Sequence, residues 1–373
     1  MKKIVFITIL TILIFTFGGC GSSNSSNESS IVDNLQINSV EISKNLVNEN
    51  SLQNLMVYLP ADYDTSSSKY PVIYFLGGYG DISDYWFDNT YGFSIQTSMD
   101  NLIKSSNTKG MIIVVISGKN VFNGSFYTNS PITGNWENYI VNEVVPTIDS
   151  KYRTLNSKDS RGIAGHSMGG FGALSIAMKY PSIFSSVYAL SPGLFDQNGL
   201  EDFLFPTETE KSAFLSYFDS LDYLDSSLAA SQRDLRIAEM KKDSWKYIRD
   251  VYGFAFAGNS QTSTFMDCPY ENLNGNIQPS QNISKWNAGY GNLSDKITAY
   301  TLNSSKLKAI GFEVGAQDEY SWLVRGNDYF YTELTNAGIS STFTKFQGTH
   351  ENKLKERFEN YLVPFFNQNL KFE

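Results

Sequence analysis

A serine set between glycines, in "GIAGHSMGGFGAL" from Gly162 to Leu174, narrows what this chain can fold into more than any other stretch. The run ending at Gly165 reads as a strand. Met168 to Tyr180 reads as a helix, with Phe171, Leu174 and Met178 on one face and Pro181 just past its end. A strand that turns straight into a helix crowds the bend, so Gly165 and Gly169 relieve it while Ser167 rides at the tip. The helix N-terminus then offers unpaired N–H groups and positive dipole beside the hydroxyl. This is the setting of a nucleophile, provided that a base and an acid can reach it.

The rest of the chain supplies strands for such a sheet. "LMVYLP" (Leu55 to Pro60), "VIYFL" (Val72 to Leu76), "MIIVVIS" (Met111 to Ser117), "SSVYALS" (Ser185 to Ser191) and "LKAIGFEVG" (Leu307 to Gly315) read as strands, several apolar on both faces as buried parallel strands are. Helical patterns lie between or after them at Trp136 to Tyr152, Met168 to Tyr180, Arg325 to Ala337, and Glu351 to about Gln368. Alternating strand and helix implies an α/β domain with a mainly parallel sheet flanked by helices. With 373 residues, 41% of them apolar, the chain can bury a large core. One interval breaks the rhythm. About 195 to 305 holds an acidic, aromatic helical stretch (Glu201 to Tyr252) and then an Asn- and Gly-rich passage. It reads either as an insertion on the sheet edge or as a cap over the active site.

The N-terminus reads as a processing signal. Lys2 and Lys3 precede an apolar run from Ile4 to Phe17, and Gly18-Gly19-Cys20 closes it. The run is short for a membrane span of roughly 20 residues. Small residues before a cysteine resemble the bacterial lipobox, in which the cysteine is acylated and becomes the new N-terminus. Residues 1–19 are then a lipoprotein signal peptide, Cys20 carries lipid, and the mature protein is tethered to the extracytoplasmic face of the bacterial membrane. The alternative is a plain secretory signal or an uncleaved anchor. Residues 20–34, rich in Ser and Asn, read as a flexible linker, with the folded domain running from 35 to 373. With Cys20 acylated, no intramolecular disulfide can form. A net charge of −9 without a Lys/Arg cluster speaks against nucleic acid as a partner.

Only two histidines are present, so the base can be sought by elimination. His166 adjoins Ser167 in a tight turn, where neighbouring side chains point apart. His350, in "FQGTHENKLKERF", follows a strand read over Ser341 to Phe346 and precedes the last helix. Its imidazole can accept the serine proton. The acid should hang from the loop after the preceding strand, where "IGFEVGAQDEYSW" offers Asp318 just past Gly315 and Glu319 beside it. Asp318 is favoured because it has left the strand end; Glu319 is the substitute. Two backbone donors for an oxyanion come from Met168, after the serine, and from Tyr79 in the glycine-rich loop "GGYGD" (Gly77 to Asp81). That loop lacks the lysine and serine pair of a phosphate cradle. In "NGSFYTNSPITGNWE", Phe126, Tyr127 and Trp136 offer an aromatic platform for an acyl or sugar group, with Asn129 and Asn135 as hydrogen-bond partners, or else they pack inward. Trp86, Tyr85 and Trp322 carry the same two readings.

"YPVIYFLGGYG", "YRTLNSKDSRGIAGHSMGGFGAL", "FEVGAQDEY" and "GTHENKLKERF" resemble the esterase branch of the α/β-hydrolases, which includes S-formylglutathione hydrolases, feruloyl esterases, siderophore esterases and the antigen 85 mycolyltransferases. The likeness runs from about Ser51 onward. It implies an α/β-hydrolase fold, with a long insertion before the strand that carries the acid. The family's nucleophile falls on Ser167, its acid on Asp318, its base on His350, and its oxyanion donors on Tyr79 and Met168. Many relatives have histidine before the oxyanion glycine, where this chain has Gly77. The expected activity is a serine carboxylic-ester hydrolase that works through an acyl-enzyme on a small ester, such as an acylated aryl or sugar compound. It needs no cofactor and no metal. Acyl transfer to a sugar or lipid hydroxyl is the alternative within enzymes, and a surface-anchored binding protein on an inactive scaffold is the alternative outside them.

Overall fold

The computed structural model describes residues 29–222 and 226–373, with side chains excepted over 221–230. Its strands, in chain order, are β1 (Ile31–Asn38), β2 (Leu52–Leu59), β3 (Val72–Leu76), β4 (Ile112–Ile116), a short ribbon of β5 (Asn129–Ser130) and β6 (Gly134–Asn135), β7 (Arg161–His166), β8 (Ser186–Leu190), a hairpin of β9 (Tyr270–Leu273) and β10 (Asn276–Pro279), β11 (Ala309–Gly315) and β12 (Thr342–Phe346). Eight of them form one sheet in the order β1-β2-β4-β3-β7-β8-β11-β12. β1 and β2 run antiparallel to their neighbours, and every pairing from β4 through β12 is parallel. All five residues of β3 are buried. Tyr74 and Leu76 face one core with Val114 and Ile163, while Ile73 and Phe75 face the other with Trp86 and Phe366. Apolar side chains on both faces follow from helices covering both sides of a parallel sheet. This is the α/β-hydrolase architecture expected of the sequence.

The domain begins earlier than 35. β1 starts at Ile31 and pairs along its whole length with β2, so residues 31–34, assigned to the linker, belong to the sheet. The run "IVDNLQIN" is polar at alternate positions because an edge strand needs only one face against the core; Leu35 is its buried anchor, and Tyr152 donates to Asp33 at 2.6 Å. The proposed signal segment and Cys20 lie outside the described residues. Among the described residues, no helix is long and apolar enough to cross a membrane.

Two helices contain a π turn. Trp136–Asn138 runs through the π segment Tyr139–Val144 into Val145–Lys151, and Leu354–Arg357 runs through Phe358–Leu362 into Val363–Asn369. In both, a proline (Pro146, Pro364) opens the last segment. Proline has no N–H to give and its ring crowds the carbonyl four residues back, so the wider turn accommodates it within a continuous helix.

The interval between β8 and β11 contains the helices Glu208–Asp222, Ser226–Lys242, Ile248–Phe256 and Leu293–Leu302, with the β9–β10 hairpin between the last two. Phe203, Trp245, Tyr252 and Tyr290 from this interval line the same pocket as Ser167. The insertion therefore forms one wall over the C-terminal edge of the sheet.

Candidate active site

Ser167 stands between β7 and the helix Met168–Lys179 with φ 56° and ψ −116°, a conformation that costs a non-glycine residue about 1–3 kcal/mol. Main-chain bonds hold it there: its N–H donates to Leu190 at 2.8 Å, and its carbonyl accepts from Phe171 and Gly193. The two glycines are required by contact. A Cβ on Gly165 would lie 2.3 Å from the Gly169 carbonyl oxygen, and one on Gly169 would lie 2.1 Å from that of Leu76.

His350 arrives from the loop after β12, and Asp318 from the loop after β11. The His350 Nε2 is 2.9 Å from Ser167 Oγ, and its Nδ1 is 2.8 Å from Asp318 Oδ2. A carboxylate accepts, so the proton sits on Nδ1 and the Nε2 lone pair faces the serine hydroxyl. Asp318 is enclosed, and the Tyr320 N–H holds its other oxygen at 3.0 Å. Glu319 has a different job: its Oε2 accepts the main-chain N–H of His350 at 3.0 Å, and that bond lowers its carboxyl below the ordinary range.

Beneath the imidazole lies a layer that sequence reasoning missed. Arg357, fully buried, donates from Nη1 to the His350 carbonyl at 2.9 Å, from Nη2 to Ser191 Oγ at 2.8 Å, and from Nε to Glu313 at 2.5 Å. His166 Nε2 donates to the same His350 carbonyl at 3.2 Å. Burial, together with the nearby His350 and Arg357, holds His166 well below the usual histidine range. The second histidine is thus a neutral support under the first.

The loop Gly77–Asp81 presents the Tyr79 amide. On either side, Gly78 N–H donates to Asp81 Oδ2 at 2.6 Å and Gly80 N–H to the Asn123 carbonyl at 2.8 Å. Neither the Tyr79 amide nor the Met168 amide donates to an acceptor among the described residues, and both residues border the pocket with Ser167. Asp81, also missed from sequence, is the loop's anchor. Trp86 Nε1 at 3.3 Å and the Tyr91 hydroxyl both donate to it, while burial pushes its carboxyl up. Gly77 gives its carbonyl to the Tyr127 hydroxyl at 2.9 Å.

The pocket encloses about 200 Å³ beside Ser167, walled by Phe126, Phe195, Tyr252, Tyr290, Trp245 and Trp322. The aromatic candidates divide. Phe126 and Trp322 face the pocket, whereas Tyr127 and Trp136 are buried in the core and Trp86 packs on Phe75. Asn129 bonds Asn138, and Asn135 bonds Glu41, away from the pocket. Tyr85 is also absent from its lining.

Comparison with known proteins agrees with this architecture. A curated esterase of Mycobacterium tuberculosis is 37% identical over 134 residues, covering 35% of this chain and 27% of the relative. An endo-1,4-beta-xylanase/feruloyl esterase of Xylanibacter ruminicola is 31% identical over 157 residues, covering 40% of this chain and 21% of the relative. The match therefore spans about a quarter or less of these relatives' length. A solved ferulic acid esterase superposes with a TM-score of 0.55 at 19% identity, covering 92% of this chain and 100% of that chain. The family model described as "Putative esterase" matches residues 49–240, just over half of the chain, and passes through both the Tyr79 loop and the Ser167 turn. The chain belongs to that esterase family.

Proposed function

We propose that the protein is a serine carboxylic-ester hydrolase. The observation that carries this reading is the hydrogen-bonded chain Ser167–His350–Asp318, ending on a hydroxyl beside two unpaired amides. In this mechanism His350 takes the Ser167 proton as the hydroxyl oxygen attacks the ester carbonyl. The developing oxyanion accepts from the Tyr79 and Met168 N–H groups, and Asp318 steadies the imidazolium. His350 then protonates the leaving alcohol, and water, activated by the same imidazole, releases the acid from the acyl-enzyme. The aromatic walls favour an ester with a flat or apolar acyl group, and the feruloyl and ferulic acid esterases among its relatives point the same way.

Hydrolysis of nitrophenyl esters and labelling by a fluorophosphonate, each on the wild type, Ser167→Ala and His350→Ala, test this. Turnover and labelling in the wild type, with both variants reduced by about four to six orders of magnitude in kcat, support it. A wild type that neither turns over these esters nor takes the label favours the alternative, a binding protein on an inactive hydrolase scaffold.

For the N-terminus we propose acylation at Cys20, with the domain held on the extracytoplasmic membrane face. Detergent phase partition tests this: the wild type enters the detergent phase and Cys20→Ala the aqueous phase. Equal partition of the two removes the lipid.

A further inference from the structure

The helix that follows Ser167, Met168–Lys179, has a second face that the proposed reaction does not use. Along it, Leu174 and Met178 meet Leu293 and Phe330 across a cleft of about 300 Å³. These side chains are buried, yet they leave the space between them open. Protein interiors carry few voids much larger than a water, and about 300 Å³ is the lower end of the range for small-ligand pockets. No residue lines both this cleft and the Ser167 pocket. The two are separated by a wall in which the rings of Phe171 and Tyr290 lie 4.8 Å apart.

Two cations border this apolar space, Lys179 and Lys296. Lys179 is paired with Glu137 at 2.5 Å. Lys296 instead donates to the carbonyls of Gly289, at 2.7 Å, and Gly291, and no carboxylate of the described residues lies within ion-pair distance. An ammonium has three N–H donors, so one remains after those two. Burial pushes Lys296 down to about 7; the neighbouring Lys179 charge adds to the effect and Asp295 opposes it. A cation withdrawn from water without a counter-charge is costly unless something of opposite sign arrives.

We propose that this cleft is a second ligand site, taking a single-chain aliphatic carboxylate whose head group sits on Lys296 and whose chain lies along Leu174, Met178 and Phe330. The apolar walls set the tail and the unpaired ammonium sets the head. A neutral alcohol of the same length satisfies only the first. The site does not depend on the proposed reaction at Ser167, so its occupancy is measured directly.

Calorimetric titration of the full chain with decanoate and with decanol, below the concentration at which either self-associates, decides the matter. The wild type is expected to bind one decanoate at least tenfold more tightly than decanol. Lys296→Met is expected to lower decanoate affinity at least tenfold and leave decanol unchanged, and Met178→Trp, which fills the cleft, to remove both. Lys296 also holds the Gly289–Gly291 turn, so its replacement can unfold the chain. In that case the decanoate-to-decanol ratio in the wild type and the shift of a ¹³C-carboxyl decanoate signal, lost in Met178→Trp, carry the test. Equal affinity for acid and alcohol, binding that survives Met178→Trp, or no saturable binding by the wild type overturns the proposal.

Discussion

Arg357 donates to the main-chain carbonyl of His350 while its Nε binds Glu313, so one buried guanidinium joins the His350 loop to the strand that leads to Asp318. Replacing it with leucine strands the Glu313 carboxyl in the core, a loss of about 3–5 kcal/mol for breaking such a pair. Urea unfolding of Arg357→Leu should show a deficit of that order. Arg357→Leu/Glu313→Leu should recover much of it, because no charge is then left unpaired. A double variant less stable than the single one would contradict this account.

Asp318 and Glu319 make separate demands on His350. Asp318→Asn alters the partner of Nδ1 and favours the wrong tautomer, so kcat should fall by about four orders of magnitude. Glu319→Gln still presents an oxygen to the His350 N–H and should cost less than tenfold in kcat. Steady-state kinetics on the two variants separate the roles, and a larger loss in Glu319→Gln would exchange them.

His166 gives a pH signature. Its folded pKa is held well below the value near 6.5 of an unfolded chain. Well above pH 6.5 the group is neutral in both states and adds nothing to the pH dependence. Below about 6.5 the unfolded chain takes up a proton that the folded one refuses, so stability falls by about 1.4 kcal/mol per pH unit until the folded value is reached. Buried acids with raised values, such as Asp250 at about 6, push the other way over part of this range. The useful quantity is therefore a difference. His166→Gln keeps a donor for the His350 carbonyl, and the wild type should lose about 2 kcal/mol more than this variant between pH 7 and pH 5. Parallel curves would mean that His166 is protonated in the folded protein.

Trp245 tests the insertion. Its indole is 48% exposed, and its ring lies 5.8 Å from Tyr79 and 6.1 Å from Tyr320, bridging the insertion to the two loops that flank Ser167. Trp245→Ala should leave the melting temperature nearly unchanged. It should raise KM for an aryl-acyl ester about two- to tenfold, the value of an aromatic contact or two, while short acetyl esters are little affected. An equal loss on both esters would remove Trp245 from the acyl wall.

What could be read from the sequence was whatever local sterics or scarcity dictates. The Gly165–Gly169 frame is demanded by a bend in which a Cβ has nowhere to go, and with only two histidines the reach from Ser167 to His350 could be found by elimination. Arg357 could not be found that way. Its partner Glu313 is 44 residues distant, and no spacing rule announces a pair made by tertiary packing. Phe126 and Trp136 are equally aromatic in sequence, and only the fold sends one to the pocket and the other to the core. The apolar residues of the insertion likewise indicate burial without saying against what. β1 escaped notice because half of an edge strand's residues face water, which reads as linker.

Ser167 and His350 touch across 183 residues, from opposite sides of the insertion and from different strands of one sheet. The stretch that carries Ser167 is therefore synthesised well before β11 and β12, while the domain to which both belong folds as a unit. Until then Ser167 has no His350 beside it. In the proposed reaction, the order of synthesis then works as a safety catch: the hydroxyl remains an ordinary alcohol until the last strand docks.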